Sequence, residues 1–136
     1  KAFVEIKSMG WVKDPLPKMV AAQSTGCAPV VKAFQERQRD TDFWENSDSV
    51  ALGLNVPGPL GGAWILDILR ESRGIAIMID EQRLKELTEE FNNFTSINSS
   101  DEGGVVWGAY SHLKKVGWIK PKERSVIFAT GIERIN

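Results

Sequence analysis

Two short groups of residues in this chain have the chemistry of a ligand site. Thr130 and Gly131 follow the apolar run Ser125–Ala129, which has the length and composition of a strand buried on both faces. In an open α/β sheet, ligands collect outside the carboxyl ends of the strands. A hydroxyl beside a glycine at such an end can bond a ligand that approaches the backbone closely. The same two residues could also simply begin a turn.

A second candidate lies at Glu102 and Gly103, which open a predicted helix. Backbone N–H groups and the helix dipole attract an anion at this position, and glycine allows it to come close. A carboxylate in the first turn is also ordinary helix chemistry, so this motif alone is weak. Neither group of residues defines a reaction.

Cysteine and histidine chemistry is limited to one residue of each type, Cys27 and His112. Cys27 stands at a predicted helix start, where a thiolate would be stabilised, but a small buried cysteine is the favoured interpretation. A single cysteine and a single histidine cannot form a zinc site of the usual kind, and we predict no metal site. Dinucleotide-binding, P-loop and nucleophile-elbow motifs are absent from the sequence.

Charge and composition predict a single domain without a nucleic-acid or membrane partner. The 136 residues include 17 basic and 18 acidic side chains, so no strong field attracts polyanions. Several cations surround Trp118, but cations near a helix end are ordinary. No apolar run has the length of a transmembrane helix, and no signal segment opens the chain. With one cysteine, these features predict a cytoplasmic protein.

The apolar periodicity predicts an α/β fold in which these motifs follow alternating helices and strands. We expect strands at Lys18–Gln23, Gly74–Ile79 and Ser125–Thr130, with a fourth candidate at Phe94–Ser100. The intervening helices are expected at Val30–Arg39, Leu60–Ser72, after Asp80, and at Asp101–Lys115. Trp64, Ile65, Ile68 and Leu69 are predicted to face the core. This alternation predicts a small, mainly parallel three- to four-stranded sheet flanked by helices.

Several segments, in register from end to end, resemble the threonine synthase family. They are Pro17–Val20, Gln23–Phe34, Phe43–Glu45, Ala51–Pro57, Pro59–Gly61, Leu69–Ser72, Glu102–Gly104 and Gly117–Ile119. The resemblance implies a partial domain, residues 1–136, similar to the C-terminal portion of such an enzyme, which has the tryptophan synthase β-like fold. Residues Lys1–Gly10 are predicted to be the tail of a helix without a start signal of its own, which fits a chain that begins inside a larger unit.

The resemblance also implies pyridoxal 5′-phosphate as cofactor. Thr130 matches the family's hydroxyl partner of the pyridine nitrogen, and Gly131, Glu102 and Gly103 match positions beside the cofactor. The family's Schiff-base lysine, in a Ser/Thr-Phe-Lys-Asp segment, has no counterpart here, so we assign no catalytic residue. The family's glycine-rich loop, which binds the cofactor phosphate, also has no counterpart in this sequence. Glu133 replaces a family glycine and could crowd the pyridine side.

Three interpretations follow. The first is a fragment or truncated relative of a threonine synthase, a lyase that converts O-phosphohomoserine to threonine, inactive without a complementary lysine-bearing half. The second is a stand-alone, non-catalytic module that binds a small ligand or a protein, and the third is an inactive relic. An isolated sheet with open edges also predicts a homo-oligomer.

Overall fold

The structure is a computed structural model, and it describes residues 1–132. Its helices are α1 (Ala2–Ser8), α2 (Pro29–Gln35), α3 (Gly62–Glu71), α4 (Leu84–Thr95) and α5 (Asp101–Lys115). Its strands are β1 (Val20–Ser24) and β2 (Ile75–Ile79), and single 3₁₀ turns lie at Leu52–Leu54 and Glu81–Arg83. The α/β class predicted from the sequence is confirmed.

The two strands pair in parallel, with Val20 opposite Ile75 and Ser24 opposite Ile79. Because side chains alternate along a strand, the sheet supplies a separate core on each face. Ala76 joins the cluster formed with α2 and α3, whereas Ile79 joins the cluster formed with α4 and α5. The result is a three-layer arrangement in which both strands end on the same side.

The predicted inward face of α3 is partly wrong. Leu66 and Leu69 are buried as its core contacts, but Trp64 is 78% exposed and Ile68 is 45% exposed. The helix has apolar residues on more than one face, and periodicity alone does not say which face meets the sheet. Leu66 and Leu69, together with buried Gly62, settle the orientation, because α2 and β2 lie on that side.

The predicted three- to four-stranded sheet needs correction, because the described residues form a sheet of two strands. Phe94, the start of the fourth candidate, belongs to α4, which ends at Ser96 in a left-handed conformation. The run Ser125–Thr130 is not a strand, and Val126 and Phe128 are 81% and 75% exposed.

The third predicted strand lacks a covering layer on one of its two faces, the face that carries Val126 and Phe128. Residues 125–128 lie beside Val20 of β1 and Leu113 of α5, but within residues 1–132 none of their backbone groups bonds β1. A strand that is apolar on both faces needs cover on both. The described residues leave the side chains of Val126 and Phe128 without it.

Two glycines let α5 lie close to its neighbours. A Cβ at Gly104 would stand 2.8 Å from the carbonyl oxygen of Leu84, and one at Gly108 would stand 2.8 Å from Cδ1 of Leu87. The start of α5 is therefore fixed against α4, and this contact places the residues that open α5. Among the described residues, no helix is both long and apolar enough to cross a bilayer.

Candidate ligand cleft at the start of helix α5

An open cleft of about 1060 Å³ lies where the start of α5 meets residues 130–132 and the loop formed by residues 49–54. Thr130, Gly131 and Glu102, three of the residues singled out in the sequence, all line it. The other lining residues are Val50, Leu52, Gly53, Leu54, Lys85, Thr88, Glu89, Asn92, Ser99, Ser100, Asp101 and Ile132. Two motifs 28 positions apart in the sequence thus border one space.

Both carboxylate oxygens of Glu102 are engaged by the protein itself. Oε1 accepts a hydrogen bond of 2.7 Å from the backbone N–H of Gly53, and Oε2 accepts one from the hydroxyl of Ser100. Glu102 lies in the first turn of α5, where the helix dipole favours a negative charge. Its observed contacts join the helix start to the 49–54 loop.

Gly131 is held against the same group of residues. Its carbonyl oxygen accepts hydrogen bonds from the hydroxyl of Ser99 at 3.2 Å and from the N–H of Ser100 at 3.4 Å. A Cβ at Gly131 would stand 2.0 Å from Oγ of Ser100 and 2.8 Å from Oε2 of Glu102. A side chain at this position would have to displace the ends of the Ser100 and Glu102 side chains.

Gly103 does not line the cleft. It is buried, and a Cβ on it would stand 2.1 Å from Oγ of Ser99 and 3.1 Å from Phe91. Its small size lets α5 begin close to the Ser99 segment, which Asn92 braces through reciprocal hydrogen bonds of 2.9 Å and 3.2 Å. Glu133 lies outside the described residues, so its crowding effect stays a prediction.

Cys27 is fully buried, as the sequence interpretation favoured. Burial raises the pKa of its thiol, and a hydrogen bond with the Val56 backbone only partly opposes this effect. The thiol is therefore protonated at neutral pH. It acts as a small apolar core residue beside Ala28 and not as a nucleophile.

The length of the irregular Val50–Pro59 segment predicts a functional or packed loop, but the sequence does not reveal the second carboxylate that holds it. Oε1 of Glu81 accepts hydrogen bonds from the Val50 N–H at 2.6 Å and from the Ser49 hydroxyl at 3.0 Å. The partners are about thirty positions apart in the chain, so no local pattern relates them. The one available signal was the long irregular connection between α2 and α3, which is uncommon unless it is functional or held in place by contacts.

The hydrogen bonds of Glu102 predict an acid-dependent loss of stability. Burial raises the pKa of this carboxyl, but hydrogen bonds from Ser100, its own backbone N–H and Gly53 outweigh burial and hold the pKa below its ordinary value. A carboxyl whose pKa is lower in the folded state stabilises the fold above its unfolded pKa. That contribution is lost as the pH falls through the folded pKa.

Acidification from about pH 5 to pH 3 should lower the free energy of unfolding of the unmodified chain. We expect this decrease to be smaller in Glu102→Gln, which has no carboxyl to protonate at this position. Urea unfolding at a series of pH values measures this difference. If the free energy of unfolding changed with pH in the same way in both proteins, protonation of Glu102 would not be linked to folding. Glu86→Gln, on the exposed side of α4, is the matched control, because its side chain is 63% exposed.

Similarity to a solved structure first defines the class of fold. The chain superposes on maize serine racemase with a TM-score of 0.63 over 88% of its own length and 35% of that chain, at 13% sequence identity. This likeness shows the fold and confirms the predicted class, a partial α/β domain of the tryptophan synthase β-like type.

The sequence relatives then specify the family that the chain resembles. It is 27% identical over 131 residues to threonine synthase of Methanocaldococcus jannaschii and, to the same extent, to threonine synthase of Methanosarcina acetivorans. The match covers 96% of this chain but 32% of each relative, so the chain spans about a third of their length. No protein-family model matches it. The resemblance to the threonine synthase family is confirmed.

Proposed function

We propose that residues 1–136 form one partial domain of a threonine synthase-like, pyridoxal phosphate-dependent enzyme, and that this domain supplies the pyridine side of the cofactor site. One observation carries the proposal: Thr130, Gly131 and Glu102 line a single cleft, although the sequence separates them. The threonine synthase relatives favour this assignment over an unrelated ligand. The complete reaction would be conversion of O-phosphohomoserine to threonine.

The pyridine end of the cofactor fits the residues that the cleft offers. Thr130 is exposed and carries a neutral hydroxyl, and Gly131 presents no side chain that would block a flat ring. When bound, the cofactor would supply an electron sink for chemistry at the substrate amino acid. Thr130 would orient the ring through a hydrogen bond to its nitrogen. Unlike an aspartate, it would not force that nitrogen to stay protonated.

The phosphate end does not fit this cleft. Glu89, Asp101 and Glu102 line it with a single cation, Lys85, so an anionic group would meet net negative charge. The start of α5, which could otherwise attract an anion, already carries Asp101 and Glu102 in its first turn. We infer that a complementary portion of the enzyme would hold the phosphate and contribute the catalytic lysine. This chain by itself would then be inactive.

Removing the hydroxyl of Thr130 is expected to weaken binding of pyridoxal phosphate by about 2- to 10-fold, the usual value of one neutral hydrogen bond. Calorimetric titration of the unmodified chain and of Thr130→Val measures the change. Thr41→Val is the matched control, because it makes the same substitution outside the cleft. Binding that is absent, or equal in all three proteins, would overturn the proposed site.

The alternative is a stand-alone, non-catalytic module that retained the fold. Exposed apolar side chains such as Leu60, Trp64 and Phe128 favour contact with another protein surface, such as a second copy of the chain. A chain that binds no pyridoxal phosphate but forms a stable complex would support this alternative. A chain that binds the cofactor through Thr130 would support the enzyme portion.

A further inference from the structure

We propose that Ser49–Leu54 is a strap that shapes the ligand cleft and that Glu81 is its positioning residue. Glu81 does not line the cleft itself. The strap contributes Val50, Leu52, Gly53 and Leu54 to the cleft wall. The inference deepens the proposed function, because it concerns the same cleft, but its structural part does not require any particular ligand.

The first end of the strap is tied to the segment that leads from β2 into α4. Oε1 of Glu81 accepts the Val50 N–H at 2.6 Å and the Ser49 hydroxyl at 3.0 Å. The Ser49 hydroxyl also lies 2.9 Å from that of Ser24, and both serines are buried. The N–H of Glu81 donates to Oγ1 of Thr25 at 2.9 Å. The backbone of Glu81 is therefore tied to the end of β1, and its Oε1 is tied to the start of the strap.

The position of Glu81 also restricts its surroundings. A Cβ at Gly26 would stand 2.7 Å from Oε2 of Glu81 and 1.9 Å from the carbonyl oxygen of Asp48. Because it has no side chain, Gly26 leaves room for the Glu81 carboxylate and for Asp48, the residue that precedes the strap. A side chain at position 26 would collide with the carbonyl of Asp48 and with the Glu81 carboxylate, so the observed packing depends on glycine there.

The second end of the strap is tied to α5 by the 2.7 Å hydrogen bond between the Gly53 N–H and Oε1 of Glu102. Between the two ends, Ala51 is fully buried in the core beneath α4 and α5. The N–H of Leu54 donates to the Ala51 carbonyl at 2.9 Å, which closes a tight turn. Two carboxylates and one buried methyl group therefore hold a six-residue segment as one unit.

If the strap is one unit, loss of either carboxylate loosens both of its ends. A hydrogen bond to a charged acceptor typically contributes enough to change an opening equilibrium by roughly 10- to 100-fold. We expect Glu81→Ala to raise the hydrogen-exchange rate of the Val50 amide by about that factor, and that of the Gly53 amide by at least about 3-fold. Glu81→Gln keeps an acceptor oxygen and should restore most of the protection.

Exchange of individual amides, followed by NMR on the full chain, tests the inference. Glu86→Ala is the matched control, since Glu86 pairs with Arg83 on the exposed side of α4. Amides of core residues in α3 report any general loss of stability. Exchange at Gly53 that is unchanged in Glu81→Ala, or that rises only in step with the α3 amides, would overturn the strap.

A titration with pyridoxal phosphate separates this inference from the proposed function. If the strap shapes the cleft, Glu81→Ala is expected to weaken binding by at least about 3-fold, while Glu81→Gln and Glu86→Ala leave it within 2-fold. If the unmodified chain binds no pyridoxal phosphate, the proposed function fails and the exchange rates alone decide the strap. If binding is normal in Glu81→Ala, the role of Glu81 in the cleft is wrong.

Discussion

Leu66→Ala is expected to lower the free energy of unfolding by about 2–5 kcal/mol, because it removes a fully buried side chain and leaves a cavity. Leu66 packs in the cluster between the sheet and α2. A loss of this size is a large fraction of the stability of a small domain. Urea unfolding followed by far-ultraviolet circular dichroism measures it, and Leu66→Met, which conserves volume, should cost less than about 1.5 kcal/mol.

Trp64→Ala is the informative comparison for the orientation of α3. Trp64 is the larger side chain, but it is 78% exposed, so its removal should change the free energy of unfolding by only about 0.5 kcal/mol. The inward orientation predicted from periodicity would require the opposite order. A larger loss in Trp64→Ala than in Leu66→Ala would contradict the observed face of α3.

Gly104→Ala is expected to lower the free energy of unfolding by about 1–2 kcal/mol and to disturb the cleft. The new Cβ would stand 2.3 Å from Oγ1 of Thr88 and 2.8 Å from the carbonyl oxygen of Leu84, within the backbone of α4. Overpacking of this kind costs about 1–3 kcal/mol, which exceeds the gain of up to about 1 kcal/mol from replacing a helical glycine.

Displacement of α5 would also move Glu102 and Ser100, so ligand affinity should fall together with stability. Gly61→Ala is the matched control, because a Cβ there meets no atom within 4 Å. That variant should leave both the free energy of unfolding and the affinity almost unchanged. Equal stability of the two variants would show that α4 and α5 do not depend on this close approach.

The sequence was sufficient for the elements whose stability is local or fully enclosed. The apolar runs around Ala21 and Ile77 became β1 and β2, and Asp80 caps the following turn, where its Oδ1 accepts the Gln82 N–H at 3.0 Å. These elements have their neighbours within the described chain. Helix α2 ends earlier than predicted, before Arg37, which adopts a left-handed conformation with φ of 58°.

The sequence was not sufficient where a segment depends on what lies beside it. The run Ser125–Thr130 has strong strand propensity, but Val126 and Phe128 have no cover among the described residues. Strand propensity describes how a side chain fits a half-buried surface, and that surface must be present. The same reasoning explains α3, where two apolar faces compete and only tertiary contacts distinguish Leu66 from Trp64.

The candidate cleft was predictable in its parts but not in its assembly. Thr130 and Glu102 were singled out by chemistry and by resemblance, and the structure places both on one cleft. Their residue types did not reveal that Glu102 accepts a hydrogen bond from Gly53, since a bond across about fifty positions leaves no local pattern. The contacts of Glu81 with the Ser49–Leu54 strap are equally remote in sequence, so its position after Asp80 did not indicate them.

The most direct test of the cleft is an NMR titration of the 15.1 kDa chain with pyridoxal phosphate, which locates even weak binding. We expect amide shifts to concentrate at Thr130, Gly131, Glu102 and Gly53, and to shrink in Thr130→Val. Shifts confined to other surfaces, or no shifts at millimolar ligand, would contradict the assignment of this cleft to the pyridine side of the cofactor.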